Sequence, residues 1–159
     1  MQVFDASSMI YAWDNYPINQ FPGLWEWMGT QIDGELLVIP SVAFEEVAYK
    51  TPDCGKWLIA NRIRQLEITN STMQIALRIK ARLGIKGDGY HSKGVGENDI
   101  FIIATACDLN AELVSNEGRQ HTLDIAAKMK IPAVCALKDV DVICMNFIEY
   151  IKQSGEVFR

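Results

Sequence analysis

The sequence is poor in the residues that build zinc and redox sites. It has two histidines in 159 residues, His91 and His121, and neither has a second histidine at the spacing of zinc ligands. Its cysteines are too far apart to form a CxxC motif, and three of them lie in apolar surroundings. We therefore predict no zinc site and four reduced cysteines, mostly core residues: Cys54, Cys107, Cys135 and Cys144.

Nucleotide-binding loops and membrane-spanning runs are also absent from the sequence. There is no GxGxxG motif and no GxxxxGK[ST] motif, which argues against a dinucleotide site and a P-loop. The apolar runs are far shorter than the roughly 20 residues of a membrane helix. Asp5 falls where a signal peptide would be basic or apolar. The sequence therefore predicts a cytoplasmic protein with no membrane contact.

Acidic residues outnumber basic ones, so the chain as a whole is poorly suited to bind nucleic acid unaided. It contains 20 Asp and Glu residues and 15 Lys and Arg residues, which give a formal net charge of -5 at pH 7. Affinity for nucleic acid comes mostly from Lys and Arg contacts to phosphate. Binding of this kind would depend on local charge or on bound cations.

Basic residues are concentrated in one segment, residues 78–93. The segment contains five Lys or Arg residues and a single acidic residue, Asp88, and its second half is rich in glycine. The pattern predicts a basic helix followed by a mobile loop, whose charges either form a solvated surface or contact phosphate. The candidates for substrate binding in this segment are Arg78, Arg82, Lys86 and Lys93.

Short apolar runs alternate with segments of helical periodicity, and this alternation predicts an α/β domain. The predicted strands lie at residues 2–4, 36–39, 66–68, 112–115 and 131–135. The predicted helices include residues 24–32, 42–50, 100–109 and 120–130, and an amphipathic helix near residues 140–151. We expect one domain over residues 1–159, with a central parallel sheet and helices on both faces.

Four carboxylates fall near the ends of the predicted elements. Asp5 and Glu117 follow strands, whereas Glu46 and Asp99 lie early in helices. In a parallel α/β sheet the functional crevice lies at the carboxyl ends of the strands, where the strand order reverses. We therefore expect the four side chains to meet at one edge of the sheet. Helix capping explains Asp5 and Asp99 equally well at this point.

Glu46 is harder to explain as a helix cap, because it lies in the second turn of its helix. On a helical wheel it falls within the apolar arc, whereas its neighbour Glu45 falls outside that arc. Four carboxylates at one site repel one another unless they bind cations or protons. Oxygen ligands without a cluster of histidine or cysteine favour Mg²⁺ or Mn²⁺.

The order and spacing of these residues resemble those of the PIN-domain nucleases. The resemblance rests on Asp5 after a short strand, Glu46 after IPSV, the block DIFIIATA that begins at Asp99, and a strand that ends LVSNE. It extends from Val3 to about Val134, and the chain looks like the small VapC-like toxins of that family. The resemblance implies a three-layer α/β/α PIN-like fold with a central parallel sheet.

The resemblance also implies a function. The activity would be endoribonucleolytic hydrolysis of RNA phosphodiester bonds by a toxin, with Mg²⁺ or Mn²⁺ as cofactor and an antitoxin protein as partner. Ser115 would orient the site, and the catalytic metal ligands would be Asp5, Glu46, Asp99 and Glu117. Small PIN domains often form homodimers, for which the closing helix or the helix with Trp25 and Trp27 are the candidates.

Two features depart from the family pattern. Glu117 stands where the family generally has Asp, and the following GRQH lacks the common acidic-aromatic continuation. The longer side chain is expected to bind metal through water, and Arg119 or His121 to bind phosphate in place of a second metal site. A PIN-like module that binds RNA or a protein without cleaving it is the alternative to a nuclease.

Overall fold

A computed structural model describes residues 1–121, 123 and 125–159 of the chain. These residues contain one sheet of five parallel strands, in the order β3-β2-β1-β4-β5. The strands are β1 (Gln2–Phe4), β2 (Leu37–Pro40), β3 (Gln65–Leu66), β4 (Glu112–Val114) and β5 (Cys144–Met145). The chain builds the sheet outward from β1 in one direction and then in the other, so the strand order reverses between β1 and β4.

Eight helices accompany the sheet in the described part of the chain. They are α1 (Ala6–Asn15), α2 (Pro22–Asp33), α3 (Ser41–Lys50), α4 (Pro52–Ala60), α5 (Asn70–Arg82), α6 (Glu97–Asp108), α7 (Ile131–Cys135) and α8 (Phe147–Ser154). Among the described residues, no helix combines the length and apolar character that crossing a bilayer requires.

Both faces of the sheet are buried. Successive residues of a strand point to opposite faces, and both members of the pairs Val3-Phe4, Val38-Ile39 and Leu113-Val114 are 0% exposed. Strands that are apolar on both faces require helices on both faces. The packing of α2 against β2 and of α6 against β1 and β4 meets this requirement. The predicted three-layer α/β/α architecture is therefore confirmed.

The last strand is not where the sequence predicted it. Ile131–Cys135 forms the short helix α7 and not a strand. Pro132 lies in the first turn of this helix, where a missing N–H breaks no hydrogen bond, whereas in a central strand it would remove a bond of the ladder. The fifth strand is Cys144–Met145, which pairs in parallel with β4.

The strand β5 also shortens the predicted closing helix, which begins at Phe147 and not near residue 140. Asn146 fixes this start, since its Oδ1 accepts from Glu149 N at 2.8 Å and Glu149 Oε1 accepts from Asn146 N at 3.1 Å. This reciprocal pair is a capping box, which satisfies two backbone N–H groups that the first turn leaves without partners.

The helix predicted at residues 120–130 is also wrong for the part that the structure describes. Thr122 and Asp124 lie outside the described residues, and the rest of the segment is irregular apart from the 3-10 turn Ala126–Lys128. The side chain of Gln120 bonds to the backbone at Lys128 and Lys130, so it holds the segment as a folded loop.

The cysteines are free, as predicted, and Cys54 and Cys135 are buried in the core.

An aromatic residue of α2 packs inside the protein. Trp25 is 2% exposed and its Nε1 donates to Tyr16 O at 2.7 Å. Trp25 is therefore not available for the homodimer contact that the sequence suggested.

An aromatic cluster around α8 contains one unsatisfied polar group. The Tyr150 ring lies 5.0 Å from the Phe4 ring and 5.3 Å from the Trp27 ring, measured between centroids. The Tyr150 hydroxyl is buried, and it has no hydrogen-bond partner in the described residues. A buried hydroxyl without a partner costs stability, because it loses its hydrogen bonds to water.

Replacing this hydroxyl is expected to stabilise the protein. Tyr150→Phe should raise the free energy of unfolding by about 1 kcal/mol, because it removes the unsatisfied group and keeps the ring packing. Urea denaturation measures the change. Tyr49→Phe is the matched control, since Tyr49 is 85% exposed and should give no change. A loss of stability in Tyr150→Phe alone would show that the hydroxyl has a partner in solution.

Candidate active site

Asp5 lies at the carboxyl end of β1, where the strand order reverses. Its backbone N donates to Val114 O at 2.9 Å, which ties it to the end of β4. It occupies the N-cap position of α1, but its side chain makes no capping hydrogen bond, and the residue is 3% exposed. Capping therefore does not explain this buried carboxylate.

Two serine hydroxyls hold the Asp5 carboxylate. Ser7 Oγ donates to Asp5 Oδ2 at 2.5 Å, and Ser115 Oγ donates to the same oxygen at 2.9 Å. Each hydroxyl in turn accepts a backbone N–H, from Asn116 at 2.9 Å for Ser7 and from Glu117 at 3.3 Å for Ser115. Because an ionised carboxylate only accepts hydrogen bonds, the single proton of each hydroxyl points at Asp5 Oδ2, and neither hydroxyl bonds Oδ1.

The charge on Asp5 is nevertheless unfavourable in the absence of a cation. Burial raises the pKa of Asp5 above its ordinary value, and the carboxylates of Asp99 and Glu46 raise it further. The hydrogen bonds from Ser7 and Ser115 lower the pKa, but less than burial raises it. Three of the four predicted carboxylates thus interact electrostatically at the end of β1.

Glu46, and not Glu45, is the α3 glutamate that faces this cluster. Glu46 is half-buried and its charge reaches both Asp5 and Asp99, whereas Glu45 is exposed. Its Oε1 accepts from Lys50 Nζ at 2.6 Å, one helical turn further along α3. Lys50 therefore supplies a positive charge next to the carboxylates, which the sequence did not indicate.

Asp99 serves the helix start and the cluster at the same time. Its Oδ2 accepts from Gly96 N at 3.0 Å at the first turn of α6, so the capping explanation is correct for this bond. Burial raises the pKa of Asp99, and the charges of Glu117 and Glu46 raise it further. The Gly96 bond and the charge of Lys50 act in the opposite direction. Capping therefore accounts for only part of its environment.

Glu117 lies beyond the end of β4 and shares a cavity of about 550 Å³ with Asp99. The charges of Asp99 and Lys50 interact with it. The structure thus brings Asp5, Glu46, Asp99 and Glu117 to one edge of the sheet, where their negative charges repel.

The donor set suits a hard divalent cation, because it consists of carboxylate and hydroxyl oxygens around a deeply buried aspartate. The ligands are not assembled, however. Within residues 1–121, 123 and 125–159, no three His, Cys, Asp or Glu side chains form a group ready to hold a metal ion. In this structure Glu46 is bonded to Lys50 and Asp99 to Gly96.

The predicted basic residues are more dispersed than the acidic ones. Lys93 lines the cavity that Asp99 and Glu117 share, and Lys86 is exposed in the loop after α5. Arg82 forms an ion pair with Asp139 at 3.3 Å, and Arg119 forms a bidentate pair with Glu149 at 2.7 and 3.0 Å.

Arg78 is exposed on α5, and its charge lowers the pKa of Cys107. Cys107 lies at the carboxyl end of α6, whereas Asp99 lies at the amino end. His121 lines a different cavity, together with Arg119. Lys93 is thus the predicted basic residue that the structure places beside the carboxylates.

Sequence reasoning missed several polar residues at this edge. Ser7 lies two positions after Asp5, so an Asp-x-Ser sequence after a strand was the available signal. Lys50 lies four positions after Glu46, the spacing of a helical ion pair. Gln120 and Lys130 line the cavity from a loop that the sequence predicted as helix, and no sequence signal indicated them.

The repulsion around Asp99 predicts a pH-dependent stability difference in EDTA. An aspartate whose pKa is raised on folding binds more protons in the folded than in the unfolded state, so stability falls as pH rises above about 4. Asp99→Asn should therefore be more stable than the wild type at pH 7, and the difference should shrink as pH falls towards 4. Urea denaturation across this pH range measures it.

Asp88→Asn is the control for this comparison, because Asp88 is an exposed loop residue. It should change stability little at either pH. If Asp99→Asn were less stable than the wild type at pH 7, the hydrogen bond to Gly96 would outweigh the repulsion.

A solved structure with a similar fold is VapBC2 from Rickettsia felis bound to a DNA fragment from their promoter. The similarity has a TM-score of 0.53 at 17% sequence identity and covers 91% of this chain and 97% of the other. At this identity the similarity is one of fold. Together with the strand order of the sheet, it confirms the predicted PIN-like fold. No curated protein matches the sequence.

A family model matches nearly the whole chain, from residue 2 to residue 158. Its description is "Domain of unknown function (DUF4411)". A match of this extent covers every strand and helix described above. The protein therefore belongs to the DUF4411 family.

Proposed function

We propose that the protein is a metal-dependent endoribonuclease that hydrolyses RNA phosphodiester bonds. The observation that carries this proposal is the group of four carboxylates at the point where the strand order of a PIN-like fold reverses. The carboxyl ends of parallel strands at this point are the usual ligand site of such sheets. Buried, mutually repelling carboxylates are a common feature of functional sites, since structural roles rarely require them.

Asp5, Glu46 and Asp99 would hold Mg²⁺ or Mn²⁺ directly or through water, with Glu117 at the cavity wall as a further ligand through water. Ser7 and Ser115 fix the orientation of Asp5 by donating to its Oδ2. When present, the ion would polarise phosphoryl oxygens and make water a stronger nucleophile at neutral pH.

Glu46 and Lys50 would help to bind the ion and the phosphate. Glu46 would bind the ion through Oε2 while its Oε1 accepts from Lys50, which is one turn away and half-exposed. The Lys50 ammonium lies near the other carboxylates, as its interactions with Asp5 and Glu117 indicate. We propose that Lys50 offsets negative charge on the phosphate.

One observation favours a second candidate function, an RNA-binding module that does not cleave. Within the described residues the carboxylates are not assembled into a metal-binding group, and Glu46 is occupied by Lys50. A binding module would keep this arrangement in the presence of divalent ions. Cleavage assays with divalent ions separate the two functions.

We extend the proposal to the partner. VapBC2 was solved with promoter DNA, and by analogy this chain would be the toxin of a toxin–antitoxin pair. A small gene for a DNA-binding protein beside its own gene would support this. Purification of the two proteins as a complex in which cleavage is blocked would test it.

Cleavage of RNA should depend on the carboxylates and on a divalent ion. The wild type should cut structured RNA with Mg²⁺ or Mn²⁺ and stop on addition of EDTA. Asp99→Asn and Glu46→Gln should each reduce the rate at least about 100-fold, because loss of even an outer-shell partner costs about 10–100-fold. Gel analysis of end-labelled RNA measures the rate, and circular dichroism checks the fold.

Glu45→Gln is the matched control for Glu46→Gln, because it makes the same change on the same helix at an exposed position. It should cleave at the wild-type rate. A wild type that binds RNA but never cuts it with any divalent ion would identify the binding module instead.

The serine pair gives a further prediction. Ser7→Ala and Ser115→Ala each remove one donor to Asp5 and should slow cleavage about 10–100-fold, as expected for groups that orient a ligand. Ser154→Ala is the control, because Ser154 is exposed at the end of α8 and its hydroxyl bonds only to backbone groups among the described residues. Unchanged rates in both serine variants would mean that Asp5 needs no such orientation.

A further inference from the structure

The cavity beside the carboxylates is lined by residues of both charges. Asp99 and Glu117 line it, and so do Lys93 and Lys130; we call the two acidic residues its acidic wall and the two lysines its basic wall, or the lysine pair. Its volume of about 550 Å³ falls within the range of roughly 300–1,000 Å³ typical of ligand sites. The proposed metal site explains the acidic wall but leaves the basic wall without a role.

The lysine pair is brought together by contacts between two distant loops. Val95 N donates to Met129 O at 2.9 Å. Gly94 lies so close to Ala127 that a Cβ at this position would collide with the Ala127 carbonyl oxygen. The close approach of the two backbones is therefore possible only with glycine at position 94, and it places both lysines at the same cavity.

Gln120 fixes the second loop. Its Nε2 donates to Lys128 O at 3.0 Å, and its Oε1 accepts from Lys130 N at 2.7 Å. Both polar ends of one side chain thus bind the backbone that carries Lys130. These bonds fix the backbone position from which the half-buried Lys130 side chain extends.

The positive charges of the lysine pair are available to a ligand. Across residues 1–121, 123 and 125–159, the ion pairs involve Lys50, Arg64, Arg82 and Arg119, and no carboxylate lies within ion-pair distance of either member of the lysine pair. Two such ammonium groups at one cavity favour an anion.

We propose that the lysine pair binds a backbone phosphate of single-stranded RNA, next to the bond that is cleaved, and so positions the strand over the carboxylates. This inference rests on the proposed nuclease function. RNA fits the cavity better than an acidic protein segment does. A nucleotide presents its charge at the phosphate and a neutral sugar and base to the acidic wall, whereas an acidic peptide would bring carboxylates against Asp99 and Glu117.

The experiment measures binding separately from cleavage. Anisotropy of a labelled single-stranded RNA oligonucleotide in EDTA gives the affinity at several NaCl concentrations. Each phosphate contact contributes about 0.7 to the slope of log K against log [salt] for single strands. Because the lysine pair shares one phosphate, Lys93→Gln and Lys130→Gln should each weaken binding and reduce the slope by up to about 0.7. Lys56→Gln, an exposed change of equal charge on α4, should do neither.

A second variant tests whether RNA binding requires the two lysines to be held at the same cavity. Gly94→Ala forces the two loops apart and should weaken RNA binding as Lys93→Gln does, although it removes no charge. Gly118→Ala is the matched control, because nothing lies within 4 Å of a Cβ there. Thermal melts in EDTA show whether each variant remains folded.

The outcomes separate this inference from the nuclease proposal. Salt slopes equal to the wild type in both folded lysine variants would overturn the inference, as would a wild type that binds no RNA. Lysine-dependent binding of labelled polyglutamate, without lysine-dependent RNA binding, would assign the wall to a protein partner. Asp99→Asn should keep the lysine-dependent slope and lose cleavage. RNA binding with this slope but no cleavage by the wild type would refute the nuclease and support only the binding of a backbone phosphate by the lysine pair.

Discussion

The burial of Asp5 between the ends of β1 and β4 is the constraint on which the rest of the site depends. The residue follows a central strand that is buried on both faces, so its carboxylate cannot reach bulk water. A buried carboxylate requires donors, and the chain supplies Ser7 from α1 and Ser115 directly after β4. The bond from Ser115 to Asp5 and the bond from Asn116 N to Ser7 Oγ join the start of the chain to the loop that carries Glu117. The geometry of the acidic edge therefore follows from the way the fold stabilises one charge.

The other carboxylates of the cluster have partners of their own in this structure. Glu46 is held by Lys50, and Asp99 is held by the backbone at Gly96. These partners reduce the repulsion without removing it, since burial and neighbouring charge still raise the pKa of Asp99. A divalent ion at this site would share Glu46 with the Lys50 ammonium, and it would relieve the repulsion among the carboxylates. Its affinity would be set by that relief minus its own repulsion from Lys50.

The sequence predicts the central strands and the positions of the acidic residues well, because both leave local signals. Leu36 to Ile39 is a continuous apolar run bounded by Gly34 and Pro40, and the wheel position of Glu46 relative to Glu45 indicated its direction. The segment after Glu117 was predicted poorly. Its loop is set by Gln120, whose bonds to Lys128 and Lys130 are tertiary, and β5 is a two-residue strand too short to show periodicity. Lys130 reaches the cavity from that loop and so left no pattern, whereas Lys93 belongs to the basic segment that the sequence indicated.

The two outer strands of the sheet, β3 and β5, are two residues long each. A strand of this length exposes too few unpaired N–H and C=O groups to act as a template for another strand. The protein is therefore protected against growth of its sheet from chain to chain, the first step of fibril formation by a folded protein. It also follows that subunits would associate through helices or loops, because neither edge strand is long enough to pair with a strand of another subunit.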